Sequence, residues 1–113
     1  MRDTVTILGA GESGEGAAKL CRHLGMPCRV SDAGAVSAQR KASLASLGID
    51  LEEGGHDRSL IETASLVVKS PGIPSTAAPV QWAREAGIEV IGELEFASRH
   101  TDARIAAVTG TNG

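Results

Sequence analysis

Thr4-Val5-Thr6-Ile7-Leu8-Gly9-Ala10-Gly11-Glu12-Ser13-Gly14 decides how the rest of the chain is read. Its first five residues are β-branched or aliphatic, and a glycine stops them, which is the signature of a short buried strand. Gly9 to Gly14 then spells G-x-G-x-x-G, and the alanine-rich stretch that follows has helical spacing. Strand, glycine turn and helix in that order form the first half of a βαβ unit. Glycine permits the tight turn and lets backbone approach a bound group. The helix start then aims unpaired N–H groups and the positive end of its dipole at the same place, which suits a diphosphate.

The same alternation repeats along the chain. Ala17, Leu20, Cys21 and Leu24 share one helical face and Gly25 ends that helix; Ser37 caps a second, carrying Ala38, Ala42, Leu44, Ala45 and Leu47 until Gly48. Asp57 caps a short helix over 59–64, Pro79 opens one that stops at Gly87, and 93–98 forms the last. Extended stretches are predicted at 28–30, 49–51, 66–69, 88–91 and 105–108. Tight links between short strands and helices imply parallel pairing. The expected architecture is α/β, a Rossmann-like three-layer domain with a mainly parallel sheet in the order 3-2-1-4-5, flanked by helices.

Length and composition bound the function. The chain has 113 residues, 42% hydrophobic and 22% charged, with a net charge of −3. That is enough for one domain with its own core, and too little charge for a disordered tail. Trp82 and Phe96 are the only aromatic residues and are assigned to packing; with so few rings and an acidic balance, a nucleic-acid platform is excluded. Cys21 and Cys28 match no zinc or redox spacing and read as reduced thiols, and His23, His56 and His100 are too scattered for a metal site. His56, after Gly54-Gly55, could contact a ligand or simply finish a turn, and the turn is the favoured reading. No run is long enough to span a membrane and the first residues leave no room for a signal peptide, so a cytoplasmic location is expected.

Three further positions gather around the glycine turn. Asp32, twenty-one residues beyond Gly11, ends the second strand, where a carboxylate accepts from a ribose hydroxyl and disfavours a 2′-phosphate. Lys69-Ser70-Pro71-Gly72-Ile73-Pro74 follows the fourth strand, which in this order lies beside the first, so both loops face one crevice. Gly72 permits close approach to a ligand lying over Gly11. Because Glu12 and Glu15 bring two carboxylates beside the turn, Lys69 is expected to help neutralise the ligand. At the far end, Val108-Thr109-Gly110-Thr111-Asn112-Gly113 follows an apolar stretch and looks like the opening of an ATP-binding P-loop, stopped before its lysine. From the physics of the turn alone, an NAD-binding domain of an oxidoreductase or regulatory module fits too. A nicotinamide enzyme has no reason to carry that last string.

GAGESG after the first strand, KSPGIP, GELEF at 92–96 and VTGTNG together resemble, in order and spacing, the Mur ligases of peptidoglycan synthesis, and among them the branch that adds D-glutamate. The resemblance implies a three-domain, ATP- and Mg²⁺-dependent amino-acid ligase acting on UDP-N-acetylmuramoyl-L-alanine. Residues 1–100 would form its UDP-substrate-binding domain. Residues 101–113 would be the linker, first strand and incomplete P-loop (Gly110, Thr111, Asn112, Gly113) of the central ATPase domain. It also implies that Gly11, Glu12, Ser13 and Gly14 hold the diphosphate, with Ser13 as a side-chain donor. Asp32 would accept from the uracil N3–H with the backbone of Ala33 beside it, and Gly72 would approach from the opposite lip. Two positions depart from the family's pattern: Ala33-Gly34 lacks a basic neighbour, and Glu12 stands where other members hold an apolar residue. The catalytic lysine, the metal ligands and the amino-acid site would all lie elsewhere in such an enzyme, so this chain is expected to catalyse nothing by itself.

Overall fold

The computed structural model describes residues 4–100. The expected last strand at 105–108 and the P-loop string at 110–113 lie outside the described residues. Five strands, β1 (Val5–Leu8), β2 (Cys28–Asp32), β3 (Asp50–Glu53), β4 (Leu66–Lys69) and β5 (Val90–Gly92), pair in the order β3-β2-β1-β4-β5. All four pairings are parallel. Helices α1 (Glu12–Leu24), α2 (Ala38–Ser46), α3 (Arg58–Glu62), α4 (Ala78–Glu85) and α5 (Glu93–His100) fill the connections or follow the last strand. Among the described residues no helix is long and apolar enough to cross a membrane.

The side-chain alternation of the central strands makes two cores, one per face. Val5, Ile7, Val30 and Val68 pack with Ala17, Ala18 and Cys21 of α1, Leu44 of α2 and Phe96 of α5. On the opposite face Leu8 and Val67 meet Ile61 of α3 and Val80 and Ala83 of α4. The sheet is therefore the middle of three layers, as a parallel sheet requires. Both aromatic residues pack, as expected. Phe96 is fully buried, and half-buried Trp82 carries the Arg58 guanidinium 5.5 Å from its ring centroid.

Several element boundaries differ from expectation by a few residues, and for three of them the contacts show why. β3 and β5 begin later than 49 and 88. Ile49 and Ile88 each follow the glycine that ends a helix, and their amides turn back to Leu44 and Ala83 (3.0 and 2.8 Å), as Met26 does to Cys21 (2.8 Å). The apolar residue after each glycine thus closes the preceding helix instead of starting a strand, with Gly25 in the left-handed region at φ 73°. α1 begins five residues before Ala17, because the glycine-rich string is itself the helix's first turn. The caps expected at Ser37 and Asp57 form, accepting from the amides of Arg40 and Ser59.

Gly14 sits where α1 crosses the end of β1, and a Cβ placed there would overlap the carbonyl oxygen of Gly9. Because the obstacle is backbone, the helix itself must shift. Gly14→Ala should therefore cost about 3 kcal/mol, the upper end of ordinary overpacking. The loss should appear in urea denaturation as a lower midpoint at unchanged slope.

Candidate functional site

The loops after β1, β2, β3 and β4 meet at one edge of the sheet. At its centre is the N-terminus of α1, where Gly11 is the N-cap, extended at φ −82° and ψ −167°, with no side chain capping the helix. The Glu15 amide makes the first helical bond, to the Gly11 carbonyl (3.0 Å). The amides of Glu12, Ser13 and Gly14 belong to the turn whose donors a helix cannot satisfy internally. The three glycines of the string differ in what demands them. Gly9 has φ +102°, and a Cβ there would press on Ser70. Gly14 is held by the contact described above. Around Gly11 there is nothing within 4 Å of where a Cβ would stand.

Asp32 ties the neighbouring loops together. One carboxylate oxygen accepts from the Ala10 amide inside the glycine string (2.8 Å), the other from Gly34 in its own loop (2.8 Å). The two acids beside the turn behave differently. Glu12 is exposed, whereas Glu15 is turned towards α2, pairing with Arg40 and Ser43 and, at 3.5 Å, with Lys19. Lys69 is half-buried, its ammonium donating to the Ile73 carbonyl (2.9 Å) and so closing the 70–74 loop on itself. Ser70 in that loop donates to Glu93 at the start of α5 (2.9 Å), joining the KSPGIP and GELEF strings.

Two depressions flank the α1 terminus. A cleft of about 460 Å³ is lined by Gly9, Asp32, Ala33 and His56 on one side and by Gly72, Ile73, Pro74 and the start of α4 on the other. A groove of about 440 Å³ runs between α1 and α5, lined by Ser13, Ala17, Leu20, Pro71, Leu94 and Phe96 among others. The structure thus brings Asp32, Ala33 and Gly72 into one cleft, as the sequence suggested, and puts Ser13 on the other side of the turn. Lys69, Gly11, Glu12 and Gly14 line neither depression.

A polar chain in the cleft wall was not anticipated. The His56 ring lies with Nδ1 2.6 Å from the Ser31 hydroxyl, which in turn donates to Glu52 (2.8 Å); Glu52 also accepts from the Asp57 amide (3.1 Å). Burial holds the His56 imidazole below its ordinary pKa, with Glu52 and Asp32 opposing in part. The only sequence signal was the Gly54-Gly55-His56 string, which reads equally well as a plain turn. Nothing in spacing links Ser31 to His56, since parallel pairing of β2 with β3 is what sets Ser31 opposite Glu52.

Known proteins resemble this chain in sequence and in fold. The family model described as Mur ligase MurD-like, N-terminal domain, matches residues 3–92. The chain is 47% identical over 109 residues to a protein of Bacteroides fragilis, and 43% identical over the same length to one of Porphyromonas gingivalis. Both bear the name UDP-N-acetylmuramoylalanine--D-glutamate ligase, and both matches cover 96% of this chain. The chain spans about a quarter of the length of these relatives, 24% of each. Among solved structures, a UDP-N-acetylmuramate:L-alanyl-gamma-D-glutamyl-meso-diaminopimelate ligase from Neisseria meningitides shares the fold, with TM-score 0.77 and 20% identity over 89% of this chain and 32% of its own. An imine reductase from Myxococcus stipitatus, solved with NAD+, shares it more distantly, with TM-score 0.53 and 20% identity over 81% of this chain and 40% of its own. Identity of this order along nearly the whole chain, on a domain whose model match runs from the first strand to the last, makes the chain a member of the Mur ligase family, corresponding to its MurD-like N-terminal domain.

Proposed function

We propose that this chain is the UDP-binding domain of a cytoplasmic, ATP- and Mg²⁺-dependent ligase that adds D-glutamate to UDP-N-acetylmuramoyl-L-alanine in cell-wall synthesis. Residues 1–100 form that domain; residues 101–113 begin the central ATPase domain, with Gly110, Thr111, Asn112 and Gly113 as the start of its P-loop. ATP supplies carboxyl activation in such an enzyme, and the residues described here serve to bind and orient the other substrate. The names of the relatives support the reaction class.

The single observation that carries the nucleotide reading is Gly11. The chain's own packing requires glycine at Gly9 and Gly14 but leaves Gly11 in open space, beside an uncapped helix terminus and a cleft. A residue without a side chain at that place admits a ligand to the backbone. The diphosphate sits at the amides of Glu12, Ser13 and Gly14, with the Ser13 hydroxyl as a further donor. The nucleoside lies in the cleft, Asp32 accepting from the uracil N3–H through lone pairs not used by Ala10 and Gly34, with Ala33 beside it and Gly72 on the opposite lip. Lys69 adds positive charge, and Glu15, bound to α2, adds no repulsion at the ligand. A nicotinamide dinucleotide draws on the same turn and acid, so it is the second reading.

Thermal-shift titration separates the two: UDP and UDP-N-acetylmuramoyl-L-alanine should raise the melting temperature, and stabilisation by NAD alone would reverse the assignment. Gly11→Ala should leave the urea midpoint nearly unchanged yet weaken UDP binding about tenfold or more in calorimetry, because the methyl group occupies ligand space. Lys69→Met should weaken UDP more than uridine, since only UDP carries the charge that lysine offsets. Equal losses for both would show that Lys69 merely holds its loop.

A further inference from the structure

The polar chain Glu52–Ser31–His56 ends in the cleft, and hydrogen-bond accounting fixes what it presents there. Ser31 is buried and has one proton. One Glu52 oxygen accepts from Ser31 and from the Asp57 amide, so the Ser31 proton points to it. The Ser31 oxygen is then an acceptor towards His56, whose Nδ1 must carry the proton of the 2.6 Å contact. Burial disfavours the charged form of the imidazole, with Glu52 and Asp32 opposing in part. The remaining ring nitrogen, Nε2, has a lone pair and no partner among the described residues, and His56 lines the cleft with Asp32 and Ala33.

We propose that His56 is a specificity-determining residue of the nucleotide cleft. Its Nε2 is a hydrogen-bond acceptor that takes a donor from the nucleoside, and Glu52, acting through Ser31, is the positioning residue that fixes the tautomer. The donor is a ribose hydroxyl, since the imide N–H, the base's one donor, is the group from which Asp32 accepts. The inference rests on the nucleotide reading above and deepens it. It also gives the β3–α3 loop, which the glycine string and Asp32 leave out, a part in the site.

Calorimetry with UDP on the 113-residue chain and two variants tests it, together with nitrogen-15 NMR of the His56 ring. His56→Phe, which keeps a ring but has no acceptor, should bind UDP about tenfold more weakly. Glu52→Met removes the oxygen that accepts from Ser31 and from the exposed Asp57 amide; the Ser31 proton then turns to Nδ1, and the imidazole proton moves to Nε2. That variant should show the Nε2–H tautomer by NMR and a comparable loss of UDP affinity with the ring still in place, so it carries the test if His56→Phe does not fold. The unaltered chain should show the Nδ1–H tautomer. The analogues 2′-deoxy-UDP and 3′-deoxy-UDP identify the hydroxyl: His56→Phe should lose discrimination against the one analogue that lacks it. Wild-type UDP affinity in His56→Phe, undiminished discrimination against both analogues, or an Nε2–H tautomer in the unaltered chain overturns this inference alone. Failure of the unaltered chain to bind UDP overturns the nucleotide reading, and this inference with it.

Discussion

The seat of Gly14 against the carbonyl of Gly9 is the contact on which the rest of the structure depends. It lets α1 start directly over the end of β1, which brings Ala17, Ala18 and Cys21 down onto Val5, Ile7 and Val30. The same approach points the helix's unsatisfied amides out over the sheet edge, with Gly11 at the helix start and Gly9 in the wall of the cleft. Core packing on one face and the chemistry of the edge are therefore set by one close backbone approach. The Asp32 carboxylate then fastens the loop from the neighbouring strand to it through Ala10.

Much of this was legible in the sequence because it rests on local patterns. The β-branched run at 4–8, the glycine stops and the caps at Ser37 and Asp57 each identify an element without reference to its neighbours, and the parallel order follows from their alternation. The errors fell where one residue serves two elements. Ile49 and Ile88 look like strand residues by type, yet their amides complete the helix end before them. The start of α1 carries Ser13, Gly14 and Gly16, poor helix formers by propensity, and tertiary packing makes it helical.

For the site, the legible part was what the motif spacing carries: Asp32, Ala33 and Gly72 do reach one cleft. Side-chain direction was not legible. Glu12 and Glu15 are three apart, yet one faces solvent and the other is tied to Arg40 and Ser43, because only the second lies on the side that α2 packs against. The link from Ser31 to His56 was invisible for the same reason: it depends on strand register between residues far apart in the chain.

β1 lies in the middle of the sheet, between β2 and β4, although it is the first strand in the chain. Its register with β4 sets Val5 opposite Leu66, so the central pairing closes a loop of most of the domain and meets the entropy that such closure costs. Topologies of this kind fold slowly compared with those built from neighbouring contacts. On the ribosome, the first strand made must wait with one edge open until the chain through Lys69 has emerged. During that interval an open strand edge and the Val5, Ile7 and Leu8 side chains, all fully buried in the finished fold, stand exposed to misassociation.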